Sequence, residues 1–197
     1  MKLNTLEFAL MNNPVRAASQ RWVETPLLIG SPNTLAGKCV LEVGCGRGVG
    51  LEILLGLGAT RVTGVDLDPE MVALAEKRVA TYGERARVFV GDAAAIAAPD
   101  ASFDAVVDYG IIHHIPPWPQ ALHEIARVLA PGGAFYFEDL FRGFISAWPM
   151  RALFDHPQTT QFTAAEFRDA LEAAGLSVRQ WHELGAWGVV GRADKCR

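Results

Sequence analysis

Carboxylates stand at the ends of successive apolar runs in this chain. Asp66 closes Arg61–Val65, Asp92 follows Arg87–Gly91, Asp108 closes Phe103–Val107, and Glu138 with Asp139 closes Gly133–Phe137. An earlier run, Cys39–Val43, carries one acid inside it, Glu42, and ends in Gly44-Cys45-Gly46-Arg47-Gly48-Val49-Gly50. Glycines at alternating positions let the backbone take positive φ and approach a ligand with no Cβ in the way. Helical spacing from Val49 to Leu57 then aims free N–H groups at whatever sits in the turn. Asp66 lies 22 positions after Gly44, the spacing at which an acid accepts hydrogen bonds from ribose hydroxyls. Its alternative role is a helix cap before Pro69. Asp92 is placed to accept from an exocyclic amine, Ala93 to donate its N–H to a ring nitrogen, and Leu67 and Met71 to touch a base. Together they imply a ligand containing adenosine with a free 2′-hydroxyl.

The glycine pattern narrows the ligand. A dinucleotide fingerprint wants a small residue three after Gly46, where the helix packs on the strand, and Val49 stands there. Glu42 would repel a pyrophosphate but suits a cation, whose ammonium and sulfonium groups need acceptors. A nicotinamide-dependent oxidoreductase is disfavoured on both counts.

The elements that must hold these groups follow from periodicity. Strands are expected at Cys39–Val43, Arg61–Asp66, Arg87–Gly91, Phe103–Asp108 and Gly133–Asp139, with helices at Val49–Leu57, Pro69–Tyr82 and Trp118–Leu129, and a short Ala-rich helix or loop at Ala93–Ala98. Strands alternating with helices, and cores as apolar as Ala105-Val106-Val107, predict a doubly wound α/β sheet, mostly parallel and covered on both faces. Thr163-Ala164-Ala165-Glu166 is a capping-box start for a helix ending near Gly175. Two last strands, Leu176–His182 and Trp187–Gly191, flank a turn short enough to require an antiparallel pair, read here as the sheet edge. Ligands of such sheets bind beyond the carboxyl ends of the strands.

Residues 1–35 read as an N-terminal helical cap and 36–197 as the ligand-binding domain, with an aromatic insertion at about 141–162 that includes Phe144, Trp148, Phe154 and His156. Leu3–Met11 is amphipathic. Asn13-Pro14 then starts a helix to about Leu28 that sets Val15, Ala18, Trp22 and Thr25 along one side. That helix is either packed on the domain edge or a lid over the ligand.

Composition excludes several classes. Among 197 residues, 50% are hydrophobic and 20% charged, with a formal net charge of −4, so no nucleic-acid partner is expected. Three widely spaced cysteines give neither a disulfide framework nor a zinc site. No secretory leader or membrane span is read, which leaves a cytoplasmic protein with peripheral membrane contact open.

Val40-Leu41-Glu42-Val43-Gly44-Cys45-Gly46-Arg47-Gly48, Val65-Asp66-Leu67-Asp68, Gly91-Asp92-Ala93, Phe103–Val107 and Leu129-Ala130-Pro131-Gly132-Gly133 resemble, in order and spacing, the motifs of class I S-adenosylmethionine-dependent methyltransferases. The similarity is greatest to the small-molecule branch of the ubiquinone/menaquinone-biosynthesis type and covers about residues 36–183. It implies a Rossmann-like, seven-stranded sheet with an antiparallel last strand and S-adenosylmethionine as cofactor. It places Glu42, Gly44, Cys45, Gly46 and Gly48 near the methionine moiety, Asp66 on the ribose, and Asp92 with Ala93 on the adenine. It also turns Asp108, Tyr109 and Gly110 toward the transferring methyl.

Methyl transfer is an in-line displacement, for which positioning and exclusion of water can do most of the work. Where the acceptor must lose a proton, His113, His114 or His156 could take it, and Tyr109 is a further catalytic candidate. Adjacent histidines point apart, so His113 and His114 are not both expected to face the site. No metal is expected, because no carboxylate or thiol completes a ligand set around these histidines and His123. The aromatic insertion and Trp22 are read as the wall of a pocket for a small, apolar or aromatic methyl acceptor. A monomer and a homodimer are both compatible with the chain, and a catalytically silent cofactor-binding protein is the alternative to an enzyme.

Overall fold

The structure, a computed structural model, describes residues 13–31, 33–145 and 161–196. The strands are β1 (Cys39–Val43), β2 (Arg61–Asp66), β3 (Ala86–Val90), β4 (Phe103–Tyr109), β5 (Leu129–Leu140), β6 (Leu176–Glu183) and β7 (Gly188–Lys195). They form one sheet in the order β3-β2-β1-β4-β5-β7-β6. β1 to β5 run parallel, and β7 is antiparallel to both β5 and β6. The last strand is therefore the reversed one, as expected, but it lies one place in from the edge, which belongs to β6.

Helices cover both faces because the central strands are apolar on both. In β1, Val40 joins one core and Leu41 the other, the alternation a pleated strand imposes. Leu51, Leu54 and Leu55 of α3 (Val49–Gly56), with Ala75 and Val79 of α4 (Pro69–Val79), fill the first face. Leu122 and Ile125 of α5 (Trp118–Val128), with Phe167 and Leu171 of α7 (Ala164–Ala173), fill the second. The capping box of α7 is present: Thr163 Oγ1 accepts from the Glu166 N–H at 3.2 Å and Glu166 Oε2 from the Thr163 N–H at 2.7 Å. Such a cap contributes about 1 kcal/mol.

The start of β5 departs from expectation, and the Ala93–Ala98 run, expected as a short helix or a loop, takes the second form. β5 begins at Leu129, and its register against β4 jumps from Phe103↔Leu129 to Ala105↔Ala134, a bulge that absorbs Pro131 and the two glycines. The Ala93–Ala98 run is a loop: Asp92 Oδ1 takes the Ala94 N–H, Glu124 takes the Ile96 N–H, and Arg127 donates to the carbonyls of Ile96 and Ala98. With those groups engaged by side chains, the run has no use for helical partners.

Before the sheet, α1 (Pro14–Ser19) runs through a π-type turn, Gln20–Glu24, into α2 (Thr25–Ile29). Asn13 caps it through Oδ1 to the Arg16 N–H, 2.9 Å. The expected apolar stripe is turned outward: Val15, Ala18 and Trp22 are exposed, Trp22 by 74%. The wider π turn shifts the side-chain register, so Gln20, Thr25, Leu28 and Ile29 are the buried residues and α2 packs on β5 and β7. The expectations for Leu3–Met11 and for Trp148, Phe154 and His156 lie outside the described residues. A one-turn helix, α6 (Arg142–Ile145), opens the insertion.

Candidate active site

A cavity of about 910 Å³ lies across the carboxyl ends of the strands, under α1, where β1 separates β2 from β4 and the strand order reverses. Its floor is the turn after β1. Gly44 takes φ +65°, and a Cβ there would meet the Ile111 side chain at 2.5 Å; Gly46 takes φ +50° with open space on its Cβ side. That opening is what a ligand pressed on the backbone would occupy. The Gly46 N–H donates to Asp66 Oδ2 at 2.8 Å and the Asp68 N–H to Oδ1 at 2.9 Å. Two amides fix the carboxylate and leave lone pairs over. Leu67, Met71, Asp92 and Ala93 line the same end. Two expected ligand residues do not line the cavity. Gly48 caps α3 with φ +81° and packs on Ala75, and Asp108 is fully buried beneath the surface, with Oδ1 taking the Ile111 N–H at 2.8 Å.

Glu42 is 2% exposed, and among the described residues its Oε2 has no hydrogen-bond partner. Gly50 makes the room: a Cβ at that position would lie 2.2 Å from Glu42 Oε1. Burial, followed by the charges of Asp66 and Asp108, raises the Glu42 carboxyl well above the usual range. An orphaned buried carboxyl is costly unless a cation or donor arrives. Cys45, beside it, is pushed up by burial first and so stays an unreactive thiol.

At the ends of β4 and β5 the groups are tied to one another. His113 Nδ1 bonds Asp139 Oδ1, and the His113 N–H reaches Asp139 Oδ2 at 3.3 Å. Burial raises Asp139 to about 7 and lowers His113 to about 3. Asp108, beside Asp139, is raised well above the usual carboxylate range by burial and then by its neighbour's charge. The Thr25 hydroxyl donates to the Gln20 carbonyl at 2.7 Å, which makes Tyr109 the donor in the 2.9 Å bond between the two hydroxyls. Burial raises the Tyr109 phenol out of the range of a general base. Arg16 pairs with Glu24 and lies 3.9 Å from Glu138, whose carboxyl is raised to about 9 by burial and the nearby Glu24 charge.

Beyond these, Ile115, Leu140, Phe144, Ile145, Leu184 and Val189 form an apolar wall. Trp22 takes no part, and Phe162 is a core residue stacked on Phe167 at 4.6 Å. The sequence reading missed Arg16, Gln20 and Glu24, which line the cavity from the N-terminal helix, because a π turn leaves no mark in the apolar pattern. Gly50 was findable: a small residue in the first turn of a helix that follows a strand with an acid inside it.

Residues 41–137 match the model of a methyltransferase domain family. A Mycolicibacterium smegmatis protein named a probable S-adenosylmethionine-dependent methyltransferase is 36% identical over 160 residues, 81% of this chain and 59% of that protein. A ubiquinone biosynthesis O-methyltransferase of Thiobacillus denitrificans is 34% identical over 131 residues, 66% of this chain and 52% of that protein. The chain thus spans between half and three-fifths of the length of these relatives. A solved S-adenosylmethionine-dependent methyltransferase of Mesorhizobium loti shares the fold with a TM-score of 0.69 at 18% identity, covering 82% of this chain and 92% of that one.

Proposed function

The chain belongs to the class I S-adenosylmethionine-dependent methyltransferases, and from that premise we propose that it transfers a methyl group to a small, largely apolar acceptor. One observation carries the reading: a single cavity joins a polar floor, Glu42 with Asp66 and the glycine turn, to an apolar wall of Phe144, Ile145 and Leu184. The cofactor, when bound, supplies a methyl group already activated by a sulfonium charge. Glu42 fits its ammonium, since the orphaned Oε2 then gains a charge-assisted partner. Asp66 fits the ribose hydroxyls, Asp92 and the Ala93 N–H the adenine edge, and Leu67 and Met71 its faces.

The acceptor side divides the expected catalytic residues. Tyr109 donates its O–H hydrogen bond to Thr25, which keeps it from an acid–base role. His113, bonded to Asp139 and held neutral, positions the 111–116 segment. Against the expectation that the two rings point apart, His113 and His114 both line the cavity with ring centroids 4.0 Å apart; we assign the half-buried His114 the proton of a hydroxyl or amine acceptor. The apolar wall excludes water, and Ile115 and Phe144 orient the acceptor over the floor. The ubiquinone O-methyltransferase relative agrees with an aromatic or quinone-like acceptor. Incubation with S-adenosylmethionine and a panel of phenolic, amine and fatty-acyl acceptors tests this. Formation of S-adenosylhomocysteine with at least one is expected, and none with any would overturn it.

A further inference from the structure

Two buried carboxyls stand side by side at the ends of β4 and β5. Asp108 is level with Phe137 of β5, and Asp139, two residues further on, points to the same face. They share a hydrogen bond, which two carboxyl groups form only with a proton between them. Their remaining acceptor capacity goes mainly to one stretch of chain. Asp108 takes the N–H of Gly110 and, at 2.8 Å, that of Ile111. Asp139 takes the N–H of Ile112 and, at 3.3 Å, that of His113, and bonds the His113 ring through Nδ1. Four consecutive amides, 110–113, are thus held by side chains from two adjacent strands. Water would satisfy the amides of an ordinary surface loop, and burying two carboxyls is unfavourable in itself, so the arrangement points to a segment whose position matters.

The held segment is the one that joins the two halves of the cavity. Gly110 leaves β4 at φ +82°. The Ile111 side chain then lies on Gly44 of the glycine turn, close enough that a Cβ there would meet it at 2.5 Å, and Ile112 is fully buried in the core. A 3₁₀ turn, Ile112–His114, follows, with the His114 N–H on the Ile111 carbonyl at 2.9 Å and the Ile115 N–H on the Ile112 carbonyl at 3.0 Å. It delivers His114 and Ile115 to the acceptor side. Asp139 also takes the Leu140 N–H at 2.6 Å, which ties the start of the apolar wall to the same carboxyl. One end of the segment rests against the donor's floor and the other carries the acceptor's base, so any shift of the turn moves His114 relative to the methyl group.

We infer that Asp108 and Asp139 are positioning residues that together clamp residues 110–115 and so set the alignment of the methyl acceptor with the donor. The inference rests on the acceptor reading above. Hydrogen exchange of the wild-type chain tests the clamp by itself: residues 110–113 lie outside any strand, yet their amides should exchange as slowly as those of β4. Asp139→Asn, which sets an NH₂ group against main-chain N–H groups, should speed exchange at 110–113 and lower kcat about 100-fold. The acceptor KM and the affinity for S-adenosylhomocysteine should stay within about threefold of wild type. Where that variant does not fold, Asp108→Ala, which releases two of the four amides, should lower kcat about tenfold. Asp108→Asn should recover most of that loss, because its carbonyl can still take the Ile111 N–H while its NH₂ donates to Asp139 in place of the shared proton. Kinetics use S-adenosylmethionine with an acceptor from the panel above. Donor affinity that falls with kcat, an unchanged kcat, Asp108→Asn as slow as Asp108→Ala, or fast exchange across 110–113 in the wild type overturns the clamp. Wild-type protein that binds S-adenosylhomocysteine but turns over no acceptor overturns the acceptor reading instead, and slow exchange that Asp139→Asn abolishes still supports the clamp.

Discussion

At the β1–β3 end of the cavity the lining comes from the turns that follow three neighbouring strands: glycines at positive φ, an Asp66 carboxylate held by two main-chain N–H groups, and Asp92 with Ala93. At the β4–β5 end it is side chains drawn from separate segments: Arg16 and Gln20 from the N-terminal helix, His114 after β4, Glu138 on β5, Phe144 on α6, and Leu184 in the last turn. The first end needs only one continuous run of the chain, from β1 to the turn after β3, to be in place. The second exists only when the sheet is complete and the helix is docked. One end thus fixes a ligand by local geometry, and the other is free to change its substrate by changing side chains.

That contrast can be broken at its stiffest point. Gly44→Val forces a branched side chain into φ +65° and against Ile111, and should destabilise the fold by about 3 kcal/mol or more and abolish S-adenosylhomocysteine binding. A thermal melt and a calorimetric titration read both, and an unaffected variant would show that the turn is not the rigid element. Asp66→Ala should cost more than about 1 kcal/mol of donor binding, since it also strands the Gly46 and Asp68 N–H groups. Unchanged affinity would remove the ribose assignment.

The side-chain end should reveal itself through pH. Glu138 and Asp139 titrate near 9 and 7 in the folded protein, above their unfolded values, so the native state keeps protons that the unfolded chain has lost. The contribution of these two carboxyls is then fully present below about pH 4 and is lost as pH rises through 7 to 9, with a slope of at most about 1.4 kcal/mol per pH unit for each such proton. The ligand-free melting temperature should decline over that window, and Glu138→Gln should flatten the decline toward pH 9. A profile that rises instead would mean that these carboxyls are ionised and compensated. The smallest effect belongs to the wall: Phe144→Ala should raise the acceptor KM by several-fold, roughly 1 kcal/mol, with donor affinity unchanged. Parallel losses in both would show that the two ends are not separable.

How legible each end was follows from the same physics. The glycine turn, Glu42, Asp66 and Asp92-Ala93 are linear patterns, and Glu42, Gly44, Cys45, Gly46, Asp66, Asp92 and Ala93 line one cavity. Asp108 misled because a strand-end acid can turn inward as easily as outward, and here it caps Ile111 beside Asp139. Trp22 misled because an ideal 3.6-residue repeat puts it inside, whereas the π turn at Gln20–Glu24 puts it out. The role of Thr25 depends on a partner 84 positions away, and nothing in the local sequence announces that.

The placement of β7 bears on how the chain is made. β6 leaves the ribosome first yet cannot join the sheet, because the place beside β5 belongs to β7 and β6 bonds only to β7. Until β7 threads between them, β5 presents an open edge with Phe135 and Phe137 beside it, a surface apt to pair with another nascent chain. Completion of the sheet is then a late, long-range event, and expression at low temperature or with a chaperone that holds extended segments should raise the soluble yield by shielding that edge.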